Sequence, residues 1–164
     1  SMREMVSLHA GRNARFMKQM AENSLRNSPA LNWRGGIDAQ SRDGQEVVDL
    51  KLRGTAIYVD AARLFALAHG IAATGTRARF EAAAPAMRVP VREAEAWSDG
   101  FEILQTMRLQ VQLAAASREA VDASDGNANL IDVGALNDID RRLLKESLRV
   151  ARRLQQRIEM DYSR

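Results

Sequence analysis

The residues best equipped for chemistry begin at Asp49-Leu50-Lys51-Leu52-Arg53-Gly54. Read as a strand, alternation puts Asp49, Lys51 and Arg53 on one face and Val48, Leu50 and Leu52 on the other. Such a face attracts phosphate oxygens through Lys51 and Arg53 while Asp49 orients the two cations. From spacing alone the same charges better suit the solvated side of an edge hairpin, where they discourage strand-to-strand aggregation. Asp60 and Arg63 follow at a helical spacing that lets them pair, as a ligand-facing anchor or as a structural ion pair. Arg108 falls where its segment otherwise presents apolar side chains. A charge there needs a partner or must snorkel outward, and Asp60 or Asp49 could supply that partner. A structural ion pair and a ligand clamp both fit this position.

Other charged strings read as architecture. Asp138-Ile139-Asp140 superficially matches the paired carboxylates that hold magnesium in nucleotidyl transfer. Two-metal chemistry needs carboxylates that converge on one point, however, and side chains two apart on a helix diverge. The pair reads as a helix cap. His9 sits on an apolar helical stripe and His69 near a helix end, which suits structural histidines rather than a zinc site. The arginine-rich C-terminal segment is interleaved with acids and lacks an aromatic platform, so a solvated face fits it better than a nucleic-acid patch. No nucleophile–base pair can be picked out.

The elements that must position these residues are mostly helical. In 164 residues, 46% are hydrophobic, 27% charged and 5% aromatic, a balance that favours helices over strands. Spacing predicts an amphipathic helix over 3–26, carrying Met5, Val6, His9, Phe16 and Met20, and stopping near Asn27-Ser28-Pro29. Residues 31–54 break the pattern. Gly35-Gly36, an Asp43-Gly44 turn and alternation over 47–53 predict a small β-hairpin. A central helix over 55–70 follows, then a shorter one over 77–84 before Pro85. Pro90 opens a long helix to about residue 120, with Ala94, Trp97, Phe101, Leu104, Arg108, Val111 and Ala115 as its stripe. A polar loop over 122–129 leads to a last helix after Leu136, capped by Asn137 and burying Leu143, Leu144, Leu148, Ala151, Leu154 and Ile158. Arg141, Arg142, Lys145, Arg149, Arg152 and Arg153 mostly point away from that face. The expected fold is therefore an all-α, up-and-down bundle of about four to five helices with a small inserted β-hairpin. Residues 1–164 form a single domain, with no internal repeat.

Several ordered strings together resemble the nucleotidyltransferase substrate-binding domain family. They begin with 15–23, Leu25 and Pro29, and continue with Val48-Asp49-Leu50-Lys51 and Arg53-Gly54. The run from Val59 to Leu67, with Gly70-Ile71, comes next. Residues 76–80, Met107-Arg108-Leu109-Gln110, Asn129-Leu130-Ile131 and Leu143-Leu144-Lys145 complete the order. The Asp-Leu-Lys segment with Val59-Asp60-Ala61-Ala62-Arg63-Leu64 is its most specific part. In that family the helical domain follows a catalytic domain similar to the PII uridylyltransferases, and CBS or cyclic-nucleotide-binding domains often precede both. The resemblance implies a domain that closes over the nucleotide or holds the acceptor. It implies Asp49, Lys51, Arg53, Asp60, Arg63 and Arg108 as the cleft-facing, substrate-binding set. The histidine usual after the Arg108 segment is replaced near Gln110 and Gln112, so any role of that imidazole is lost here.

The resulting expectations are specific. No catalytic residue and no cofactor is assigned to this chain, which is expected to be inactive alone. Magnesium and a nucleoside triphosphate are implied for the parent, a uridylyltransferase-like protein of bacterial signal transduction. Partners would be the upstream nucleotidyltransferase domain, CBS or cyclic-nucleotide-binding domains, and a nucleotide or protein acceptor. The alternative is a regulatory module that dimerises or docks to sensor domains. The opening Ser1-Met2 reads as an expression remnant of a piece cut from a longer protein. With no cysteine, a charged rather than apolar N-terminus, and an apolar stretch 56–73 broken by Asp60, Arg63 and His69, a cytoplasmic protein with no membrane span is expected. The 24 basic and 21 acidic residues give a net charge of only +3, which makes nucleic acid an improbable partner and suits a phosphate-bearing ligand.

Overall fold

The computed structural model describes residues 2–118 and 128–163, with side chains described from residue 13 onward. Five α-helices are present among the described residues: α1 Met2–Ser24, α2 Ala56–Ala68, α3 Thr76–Ala86, α4 Val91–Arg118 and α5 Asp138–Tyr162. Strands β1 Gln40–Arg42, β2 Gln45–Asp49 and β3 Leu130–Asp132 form a small antiparallel sheet in the order β1-β2-β3. The helical bundle with an inserted hairpin is thus present, and the hairpin is enlarged by a third strand absent from the sequence reading. That strand is too short for periodicity to reveal, and its pairing of Ile131 with Val48 is a tertiary event. Most of the polar loop expected over 122–129 lies outside the described residues.

Local chemistry explains most element ends. Asp43 and Gly44 both have positive φ, at 50° and 79°, and close the β1–β2 hairpin between Arg42 and Gln45. A two-residue turn of this hand matches the twist of its flanking strands. The Asn137 side chain accepts the Asp140 amide at 2.7 Å and starts α5, as its sequence predicts. Pro85 does not end α3. The helix runs to Ala86 and is closed by amides of Met87, Arg88 and Val89 bonding back to Ala83, Pro85 and Ala84.

The predicted strand over 47–53 requires correction. Chain extension stops at Asp49, and Lys51–Thr55 coil into a π-helical turn that runs directly into α2. Six residues of alternation look the same before a strand and before a turn. The difference here is that Asp49 turns its carboxylate onto the amides that follow. Asp49, Lys51 and Arg53 therefore do not share a strand face.

The core is assembled around Tyr58, Phe65, Phe80, Trp97, Leu104, Leu144, Leu148, Leu154 and Ile158, all buried. Trp97 lies 5.3 Å from Phe65 and 5.4 Å from Phe80 between ring centroids. Arg157 covers the outer face of Trp97 at 5.7 Å and pairs with Glu93 at 2.7 Å. The fully buried Tyr58 donates its phenolic hydrogen to the Ser147 carbonyl at 2.6 Å, tying α2 to α5. Gly100 of α4 lies against that hydroxyl so closely that any Cβ would overlap it.

Five of the six residues predicted for the buried face of α5 are buried or nearly so, whereas Leu143 is 39% exposed. Its polar side is less idle than expected. Arg152 donates to the carbonyls of Leu31 and Asn32, Arg141 to that of Val133, and Gln155 to those of Ser24 and Asn27. Backbone oxygens in a connecting segment need donors, and these side chains supply them. Phe16, on the predicted stripe of the first helix, is 59% exposed, and Trp33 is 84% exposed.

Gly100→Ala is expected to destabilise the fold by about 1–3 kcal/mol through overpacking. Tyr58→Phe should cost about 1 kcal/mol for the lost hydrogen bond. Denaturant unfolding of both variants and their combination checks this. The Gly100→Ala penalty should shrink in the Tyr58→Phe background, where the overlapped hydroxyl is gone.

Candidate functional site

The Lys51–Thr55 turn is held from three sides. Asp49 Oδ1 accepts the amides of Lys51 at 3.0 Å and Leu52 at 2.9 Å, taking up donors that a helical start leaves unpaired. Behind the turn, Gly54 is buried against Leu104, where an added Cβ would come within 3.2 Å of the leucine methyl.

Arg53 forms the second hold. Its guanidinium reaches the carbonyls of Ser28, Pro29 and Asp38 and the Asp38 carboxylate, the last at 3.1 Å. Its backbone carbonyl also accepts the Ala30 amide. One residue thus fixes the whole 28–38 connection against the turn.

Arg108 forms the third. Its Nε and Nη2 fork onto Asn129 Oδ1 at 3.2 and 3.0 Å, and Nη1 donates to Thr55 Oγ1 at 3.3 Å and Gln105 Oε1 at 2.9 Å. The Asn129 carbonyl accepts the Leu50 amide at 2.9 Å. The partner is therefore neither Asp60 nor Asp49: neutral oxygens from α4, the turn and the β3 approach satisfy the half-buried cation. Fork geometry suits such a set better than a single counter-charge.

Lys51 differs from its neighbours. It is exposed, and among the described residues its ammonium makes no hydrogen bond or ion pair. The turn backbone beneath it is fixed, so the flexible stem that carries the charge starts from a defined place.

Asp60 and Arg63 point elsewhere. Asp60 lies half-buried in a pocket of about 450 Å³ between α1 and α2, lined by Phe16, Gln19, Met20, Asn23 and Ser24. Arg63 lines an adjoining groove of about 300 Å³ that shares Phe16 and Met20. No ion pair within 4.0 Å joins Asp60 to Arg63 among the described residues. Burial pushes the Asp60 carboxyl above its ordinary range, and the Arg63 charge opposes that shift through space. The six residues therefore divide: Asp49, Lys51, Arg53 and Arg108 gather at the turn, whereas Asp60 and Arg63 face α1. The turn contacts and the pocket share no residue.

Thr55, Gln105 and Asp38 complete the turn without having been singled out in the sequence, as does Asn129, which the resemblance strings include without a role. Polar residues scattered over four elements carry no spacing signal. Among the described residues no three His, Asp or Glu side chains come together as a metal cage, and Asp138 and Asp140 open α5. No helix of the described residues is long and apolar enough to cross a membrane.

Arg108→Lys keeps the charge but loses the fork, and should lower stability by about 1–3 kcal/mol in denaturant unfolding. For Asp60 the sign is opposite. A carboxyl whose folded pKa is raised contributes most when protonated, and that contribution is lost as pH rises through the folded pKa. Asp60→Asn should therefore melt above the wild type at pH 7, with the gap closing as pH falls towards about 4, read by thermal melts across pH.

No curated protein and no solved structure matches the chain. The family described as "putative nucleotidyltransferase substrate binding domain" matches residues 14–162, which includes the turn, the α1–α2 pocket and all five helices at least in part. The chain belongs to that family.

Proposed function

We propose that this domain holds the phosphate-bearing substrate of a nucleotidyltransferase domain carried elsewhere in the protein, and that Lys51 is its electrostatic contact. The observation that carries this reading is the free ammonium of Lys51 on a turn whose other charges are already engaged. Asp49 takes the Lys51 and Leu52 amides, so those two N–H groups are not left for phosphate. Arg53 and Arg108 each make four hydrogen bonds. A guanidinium has about five N–H donors, which leaves each little for a ligand. These two arginines act as positioning residues, and Lys51 meets the phosphate oxygens.

In this reading the domain is an accessory without catalytic residues, in a bacterial, cytoplasmic signalling protein that also carries CBS or cyclic-nucleotide-binding domains. Magnesium and the nucleoside triphosphate chemistry belong to the upstream domain. The acceptor is a protein or small molecule brought against the turn.

A second reading, a dimerisation or docking module, is favoured by Ile139 and Leu143, exposed one turn apart on α5. A second copy or a sensor domain would cover them. A strictly monomeric chain in light scattering would argue against the dimer.

Calorimetric titration with ATP and UTP, with and without magnesium, tests the first reading. Lys51→Ala should weaken saturable binding about tenfold, the loss of one charge-assisted contact, while leaving the unfolding midpoint unchanged. Unaltered affinity in Lys51→Ala, in both this domain and the full-length parent, would remove the turn from the substrate site.

A further inference from the structure

The α1–α2 pocket has a chemistry opposite to that of the turn. Its size, about 450 Å³, falls in the range of small-ligand sites, and its walls combine apolar surface with a few polar groups. Phe16 and Met20 supply the apolar part. Asp60 supplies a carboxylate, with the carboxamides of Gln19 and Asn23 and the Ser24 hydroxyl beside it. The Ser24 hydroxyl donates to the Ala21 carbonyl at 2.7 Å, so it faces any ligand as an acceptor. Among the described residues the side chains of Asp60, Gln19 and Asn23 have no hydrogen-bond or ion-pair partner.

A half-buried carboxylate repels phosphate and rewards a ligand rich in donors, and the carboxamides beside it can turn their oxygens to the same ligand. We propose that the α1–α2 pocket is a second binding site, separate from the Lys51 turn, that takes an ammonium or guanidinium group borne on an apolar stem. The carboxylate of Asp60 receives the cation, and the carboxamide oxygens of Gln19 and Asn23 accept its remaining hydrogens. Phe16 offers a ring face to the charge. The stem lies along Met20 into the adjoining groove, where Leu67 and Ile71 continue the apolar floor. Two cations line that groove, the exposed Arg63, and Arg79, whose Nε is committed to the Ala73 carbonyl, so the groove takes the uncharged stem and the ligand's charge stays at Asp60. Burial raises the Asp60 pKa more than the nearby Arg63 charge lowers it, so the carboxylate still gains from a closer cation.

The cation has two sources with one chemistry: a free amine or guanidine, or a Lys or Arg side chain from another domain. Amide-resolved NMR titration of this chain separates them. Agmatine, a guanidinium and an ammonium joined by a short alkyl stem, should cause saturable shifts at 16–24 and around Asp60. That binding should weaken about tenfold or more in Asp60→Asn and stay unchanged in Lys51→Ala. Inorganic phosphate should leave these residues unmoved. An acetylated Leu-Arg-Leu amide peptide binding more tightly than agmatine would assign the site to a partner's side chain, and equal affinity would assign it to a free cation. Because Asp60→Asn is close in size and is expected to stabilise the fold, loss of binding in it cannot be ascribed to unfolding. Agmatine shifts that persist in Asp60→Asn, that lie elsewhere, or that are absent at millimolar ligand would overturn the proposal, as would phosphate entering the pocket. None of these outcomes bears on Lys51.

Discussion

The crossing of α2, α4 and α5 depends on one buried hydroxyl. Tyr58 must bring a phenol into the centre of an apolar core, and an unpaired hydroxyl there would cost about 1–3 kcal/mol, a large part of what the ring's burial contributes. The Ser147 carbonyl accepts it, and Gly100 leaves room for it. Burial also pushes the phenol's pKa upward, so it stays a donor at any ordinary pH. With that contact made, the aromatic cluster of Phe65, Phe80 and Trp97 has a fixed neighbour on each side. The N-terminal turns of α2 then have no freedom to shift along α4.

That rigidity is inherited by the Lys51–Thr55 turn, which continues into α2 without a break. The turn is expensive to hold: it follows a strand, packs a glycine against Leu104 and lacks ordinary α-helical bonding. Asp49, Arg53 and Arg108 offset the cost with hydrogen bonds to four separate segments of chain. Arg53 secures the 28–38 connection while Arg152 holds the same connection from α5 and Gln155 holds the chain just before it. The result is a segment with little regular structure of its own that is nonetheless fixed at both edges, a reasonable support for recognition chemistry.

Charge is therefore used in two ways across this small domain. Most of the basic residues near the turn neutralise backbone oxygens and a carboxamide, and their positive charge is largely committed. Lys51 is the exception at the turn, and Asp60 is its counterpart at the α1–α2 pocket. An uncommitted cation at one place and an uncommitted anion at another would let the domain hold dissimilar groups at once, which suits a domain that presents substrates to a catalytic partner.

Much of the architecture was legible in the sequence. Pro90, Asn137 and the Asp43-Gly44 pair act through their own backbone preferences within a few residues, so helix starts and the hairpin turn could be read directly. The apolar stripe of α5 was legible for the same reason: helical periodicity is a local property. The resemblance strings marked the family because their order survives without knowledge of contacts. What tertiary structure decided was which charges remain free. The choice between strand and turn at Lys51–Arg53 rests on where Asp49 directs one oxygen, and Arg108 finds Asn129 across 21 positions of sequence. Asp60 and Arg63 carry the spacing of a pair yet face a pocket whose far wall belongs to α1. Spacing along one helix tells which side chains are neighbours there, but whether a charge is consumed or available depends on what the rest of the chain brings against it.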